Sequence, residues 1–250
     1  MKTKNLPSLL ILLCAVVFGV LSCKKDKPAT RTVEFTSTNY LNLGTYNSIG
    51  KPDYLLTPGD TISPGMISFI NTILPEGRDL RETHPDLLAK TAVADVAITQ
   101  QSDVFITFVS HTGGYTNTFA FYTYPTSQPP TGTKDIKTIT YVFPNSGALT
   151  PLHPGDKVKL GRFDAGTSIG FVLLQKAWDT TTNVLNNKVV HFCSNDVLNP
   201  EVDPKLQKHA VLTNYEPENK ILIGFEDLDR TSQYCDHDFN DLVVYCTVKP

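Results

Sequence analysis

The sequence lacks any excess of positive charge: 22 lysines and arginines stand against 25 acidic residues, a net charge of −3. With no basic stripe to displace the counterions of a phosphate backbone, nucleic acid is excluded as a partner. It also lacks an apolar run able to span a bilayer, since the longest, Leu9 to Leu21, has 13 residues where about 20 are needed. Glycine is scarce, at 15 of 250 residues, while 40% of the chain is hydrophobic; collagen-like and disordered classes are excluded. His84, His111, His153 and His191 show no metal-ligand spacing. No Gly/Ser linker divides residues 31 to 250, and Pro125 to Gly132 reads as a loop. A chain of this length buries roughly 70–75% of its unfolded surface, enough for a sizeable core.

The amino terminus has its own logic. Lys2 and Lys4 precede the apolar run, and Val20-Leu21-Ser22-Cys23 follows it, the layout of a secretory signal that ends at a small residue before cysteine. This resembles a bacterial lipoprotein signal over residues 1–22, which implies that Cys23 carries acyl chains and anchors the protein to a membrane. Residues 23–31 then form a charged tether. Such a tether resembles the export signals of Bacteroidetes-type lipoproteins and implies the outer membrane and its surface. Loss of residues 1–22 leaves 20 basic and 25 acidic groups, a net charge of −5. Cys193, Cys235 and Cys246 remain, so at most one disulfide is expected and the pair is left open.

From residue 32 to 250 the chain reads as one β-rich domain of short apolar or alternating runs punctuated by Pro and Gly. Strands are expected at Val104–Val109, Thr118–Tyr124, Thr138–Phe143, Val158–Phe163, Ile169–Leu174, Val189–Cys193, Ala210–Thr213, Ile221–Phe225 and Leu242–Val248. A helix is expected over Pro64–Leu74, with Met66, Ile67, Ile70 and Ile73 or Leu74 on one face, and a turn or two of helix after Thr83 with Pro85 in the first position. The expected fold is all-β, an antiparallel β-sandwich of jelly-roll type with one or two short helices in its N-terminal part. Leu56-Thr57-Pro58-Gly59-Asp60 and Leu152-His153-Pro154-Gly155-Asp156 echo each other, and each reads as a type II turn feeding a strand.

The strongest local signal lies near the C-terminus. Between Glu226 and Asp241 stand six carboxylates and one arginine, a local charge of −5. Negative charge at this density between two strands asks for a cation. Calcium suits it, taking six to eight oxygen ligands at flexible angles. Asp236, Asp238 and Asn240 alternate, so a tight loop turns them toward one centre, and Asp241 with Glu226 and Asp227 closes it from the facing strand. Magnesium prefers to keep its waters, and Cys235 and His237 leave zinc as the lesser alternative. The run is no EF-hand, because a loop starting at Asp236 has Asp241 at its sixth position and Thr247 at its twelfth. A solvated turn rich in Asp and Asn is the alternative without metal.

The run GFEDLDR…DHDFNDLVVY resembles the C-terminal motif of the domain-of-unknown-function family 4114. The likeness extends upstream through Leu74–Gly77, His84-Pro85, Tyr115–Tyr124, Val142–Asn145, Gly155–Phe171, Trp178, Leu198–Glu201 and His209. It implies a secreted or surface protein with calcium held by Glu226, Asp227, Asp236, Asp238, Asn240 and Asp241. His209 is then either a partner that orients a ligand carboxylate or a buried histidine satisfied by backbone.

Catalysis is the weaker expectation. Gly166-Thr167-Ser168-Ile169-Gly170 fits Gly-x-Ser-x-Gly, but a strand, not a helix, follows it. A glycoside hydrolase pairing Glu226 with Asp236 or Asp238 would need a general acid kept protonated in an apolar pocket, not a crowd of acids. Tyr115, Phe119, Phe121, Tyr122, Tyr124 and Trp178 read as core more than as a sugar-stacking surface. The expectation is therefore a non-enzymatic, calcium-binding envelope lipoprotein that adheres or binds glycans, ligands or surface proteins. A structural or assembly component of the envelope comes second, and the hydrolase third.

Overall fold

The computed structural model describes residues 30–89 and 95–250. The expected leader and the acylated Cys23 lie outside those residues. The last two residues of the expected tether do not: Thr30 bridges Glu201, and Arg31 N donates to the carbonyl of Pro200 at 2.7 Å.

In chain order the elements are β1 (Asn39–Asn42), α1 (Pro64–Ile73), α2 (Leu80–Thr83), β2 (Val96–Ala97), β3 (Ser102–His111), β4 (Thr118–Pro125), β5 (Thr138–Phe143), β6 (Lys157–Phe163), β7 (Thr167–Leu174), β8 (Trp178–Asp179), β9 (Val184–Leu185), β10 (His191–Cys193), β11 (Ala210–Tyr215), β12 (Lys220–Phe225) and β13 (Leu242–Lys249). One sheet runs β1-β5-β4-β7-β10 with β2 beside β7, and the other runs β11-β12-β13-β3-β6. Every pairing is antiparallel except that of β1 with β5. The protein is thus an all-β, sandwich-like fold with two short helices near its N-terminal side.

Alternation along the strands builds the layers. Phe119 and Phe121 of β4, Phe171 and Leu173 of β7, Ile223 and Phe225 of β12 and Leu242 and Val244 of β13 meet in one core between the sheets. Phe119 stacks on Phe171 with centroids 5.8 Å apart and meets Phe225 edge-on at 6.1 Å, so the aromatics lock the two sheets together. The opposite face of β13 presents Val243 and Tyr245 to α1. The opposite face of β7 presents Val172 and Leu174 to a third cluster with Tyr122 and Tyr141, against which Phe35 and Tyr40 pack.

Helix α1 begins where Ser63 Oγ accepts from Met66 N at 3.0 Å and Pro64 fills the first turn. Met66, Ile70 and Leu74 are buried at intervals of four, but Ile67, expected on the same face, is 48% exposed. Helix α2 ends at Thr83 instead of starting there. Asp79 caps it by accepting from Arg81 N, and after His84 the chain makes successive turns through Pro85 to Ala89. The two Pro-Gly sequences also differ from the expected pair of equal turns. Gly155 has the positive φ of +98° that a type II turn requires, whereas Gly59 does not and Thr57–Pro58 is cis. The two turns touch, with Asp60 N donating to Gly155 O at 2.9 Å. Cys193, Cys235 and Cys246 are free, buried thiols. No helix among the described residues is long and apolar enough to cross a membrane.

Candidate metal centre

The acidic run joins β12 to β13, two neighbours in the middle of their sheet, and β3 ends beside them. Two residue pairs before that end, β3 bulges at Val109. Backbone N–H groups of Thr112 and Gly113 both point at the carbonyl of Asp241, at 3.3 and 3.4 Å. Within the run, His237 and Phe239 take positive φ values of 60°, so the chain between them folds tightly.

Five carboxylates gather there. Oxygens of Glu226, Asp227 and Asp241 lie within 4.8 Å of one another, as do oxygens of Glu226, Asp236 and Asp238. Glu226 is fully buried, Asp227 and Asp238 are each 2% exposed, and Asp236 faces solvent. The oxygens are positioned from outside the run and from within it. Asn117 Nδ2 donates to Asp227 Oδ2 at 2.7 Å, Asp227 N to Asp241 Oδ2 at 2.8 Å, and Gly77 N to Asp238 Oδ2 at 2.8 Å. Gln175 Nε2 donates to the carbonyl of Asp227 at 2.6 Å. Asn240, expected among the ligands, is engaged elsewhere: its Oδ1 accepts from Thr112 Oγ1 at 2.6 Å and its amide donates to the carbonyl of Leu74 at 3.3 Å. It braces the loop against α1.

Electrostatics at the site are those of anions short of positive charge. Burial, then the charges of Glu226 and Asp227, pushes the carboxyl of Asp241 upward. Burial likewise raises Glu226 and Asp227, and Asp238 is pushed up to about 6. Glu226 Oε2 has no hydrogen-bond partner. A buried carboxylate oxygen without a donor is costly unless a cation takes that place. A hard divalent cation therefore fits these residues.

A softer metal fits less well. Glu226, Cys235 and His237 also form a compact group. Arg230 Nε already donates to His237 Nδ1 at 3.1 Å, setting a guanidinium where the cation would go. Burial raises the thiol of Cys235, keeping it protonated, and burial together with Arg230 lowers His237 to about 4.

His209 is held by other groups. Its Nε2 lies 2.8 Å from Glu201 Oε1, its Nδ1 3.1 Å from the backbone carbonyl of Glu226, and its ring stacks on Phe192 with centroids 3.9 Å apart. It touches the backbone of a candidate ligand, not a ligand carboxylate. Ser168 sits within β7 with its Oγ paired to Thr126 Oγ1 at 2.8 Å, in strand and not in an elbow. Phe119, Phe121, Tyr122 and Trp178 are buried, as core residues should be.

Gly113 and Gln175 escape a reading of the sequence, and Gly77 and Asn117 fall in segments of likeness without showing their role, because each is a single polar or small residue remote in the chain from the acids it serves. The Gly-Gly pair after β3 is the one local signal among them. No curated protein and no solved structure matches the chain. Residues 163–249, which hold all five carboxylates, Trp178, Leu198–Glu201 and His209 but not the segments from Leu74 to Asn145 where a likeness is also expected, match the family model of a domain of unknown function, DUF4114.

Proposed function

We propose that the protein is a calcium-binding, lipid-anchored envelope protein that works by adhesion or ligand binding, without turnover. The observation that carries the calcium reading is Glu226, fully buried with Oε2 unpartnered among four further carboxylates. Calcium accepts this all-oxygen set, with backbone carbonyls and water completing the sphere. Bound there, it would tie the end of β12 to the start of β13, adding its binding energy to folding energy.

Two features support ligand binding beside the metal. Tyr234, within the acidic loop, is 79% exposed and offers an aromatic face to a sugar or a partner protein. Leu228, Asp229 and Ser232 of the same loop form one wall of a cavity of about 1020 Å³, whose other walls include Phe35, Tyr40 and His191. A cation that orders the loop would set that wall and the position of Tyr234. Cys23, acylated, would hold the domain at the outer membrane, with glycans or neighbouring surface proteins as partners.

The test is adherence of beads carrying the full chain to immobilised glycans, in calcium, after its removal, and for Tyr234→Ala. Adherence should fall at least about tenfold on calcium removal and in Tyr234→Ala, equivalent to about 1.4 kcal/mol. Adherence indifferent to both would contradict the reading.

A further inference from the structure

The carboxylates of the centre separate into two groups that share one member, Glu226. We propose that the hairpin holds two calcium ions, one against Glu226, Asp227 and Asp241 and the other against Glu226, Asp236 and Asp238, with the carboxylate of Glu226 bridging them. The inference rests on the calcium reading above and adds the number and arrangement of the ions.

Glu226 has the geometry of a bridge. It lies inside the molecule, at 0% exposure, and is the one carboxylate that belongs to both groups, that of Asp227 and Asp241 and that of Asp236 and Asp238. Its Oε2 has no donor, and its Oε1 receives a long hydrogen bond of 3.3 Å from Leu228 N. Two oxygens lightly engaged by protein leave one for each ion, and paired cations clamped by shared ligands are a common arrangement.

Charge points the same way. Five carboxylates form the two groups. One divalent ion would leave three negative charges on the five, one of them on solvent-facing Asp236, and two would leave a single one. Arg230, only 2% exposed and in the same run, offsets the last. Buried charge is tolerated when it is paired, and a second ion would pair buried Asp238 as the first pairs Asp227.

The groups differ in how they are built. The first is held by strand ends and by Asn117 from the opposing sheet. The second lies in the loop, where Gly77 fixes Asp238 but Asp236 faces solvent. Binding should therefore proceed in two steps, the strand-end ion first.

Equilibrium dialysis of the full chain in mild detergent counts the ions, with calcium alone as probe. At about 0.15 M salt the exposed carboxylates are largely screened. The expected result is two ions per chain for the native protein and one for Asp236→Ala, whose exposed position leaves the core untouched. One ion in the native protein, or two in the variant over the same calcium range, would overturn the two-ion arrangement while leaving a calcium protein. No ion at all would overturn the calcium reading with it.

Discussion

Gly113, two residues beyond the end of β3, packs against the acids. A Cβ there would fall against Asp227 Oδ2 and lie 3.1 Å from Asp241 Oδ1. Its φ is not positive, so alanine is acceptable to the backbone and any effect of Gly113→Ala is steric. Overpacking of this kind costs about 1–3 kcal/mol. Since the intruding methyl displaces ligand oxygens, calcium affinity should weaken at least about tenfold, measurable by calorimetry. Unchanged affinity would place the ion away from Asp227 and Asp241. The same residue shows where sequence reading stops. The acids announce themselves by charge density within 16 residues, whereas Gly113, Asn117 and Gly77 become part of the site only once β3, β4 and the turn after α1 are brought beside them. Asn240 shows the converse. Its alternation with Asp236 and Asp238 suggests a ligand, but Thr112 and Leu74 claim its amide.

At the scale of the element, the β12–β13 hairpin carries a penalty that depends on pH and on calcium. Asp238, raised by burial to about 6 in the folded protein, titrates near 4 when unfolded. The folded state without metal thus binds the proton more tightly. Its stabilising contribution is complete below about pH 4 and is lost as pH rises through about 6. Glu226, Asp227 and Asp241, raised by burial, add in the same sense. With calcium the sign reverses, because the ion requires the deprotonated carboxylates and competes with protons. Melting temperature between about pH 4 and 7 should therefore fall with pH in calcium-depleted protein and rise in calcium. Parallel slopes would contradict the assignment. The strands of this region were legible because β12 and β13 are long, apolar and bounded by charge. Nine expected strands correspond to β3 through β7 and β10 through β13. The short β1, β2, β8 and β9 carry two to four residues each; they owe their pairing to neighbours, not to periodicity. Helix α2 lies upstream of the expected position because Asp79 supplies the cap that the chain uses, although Pro85 reads as a helix start.

At the scale of the molecule, the acidic hairpin lies where both sheets contribute. Asn117 and Gln175 reach it from the ends of β4 and β7, and Thr112 and Gly113 from β3. An ion there engages residues fastened to a core shared by both sheets, so its binding should be read out in global unfolding. The most direct test is therefore a calcium titration of the calcium-depleted protein, followed by calorimetry and thermal melting, beside Asp238→Ala, Asp241→Ala. Saturable binding is predicted, with stabilisation of about 2.7 kcal/mol for each ion at a hundredfold excess over its Kd and neither effect in the variant. Absence of binding and of any melting shift in the native protein would contradict it, leaving buried carboxyls that hold protons in place of a cation.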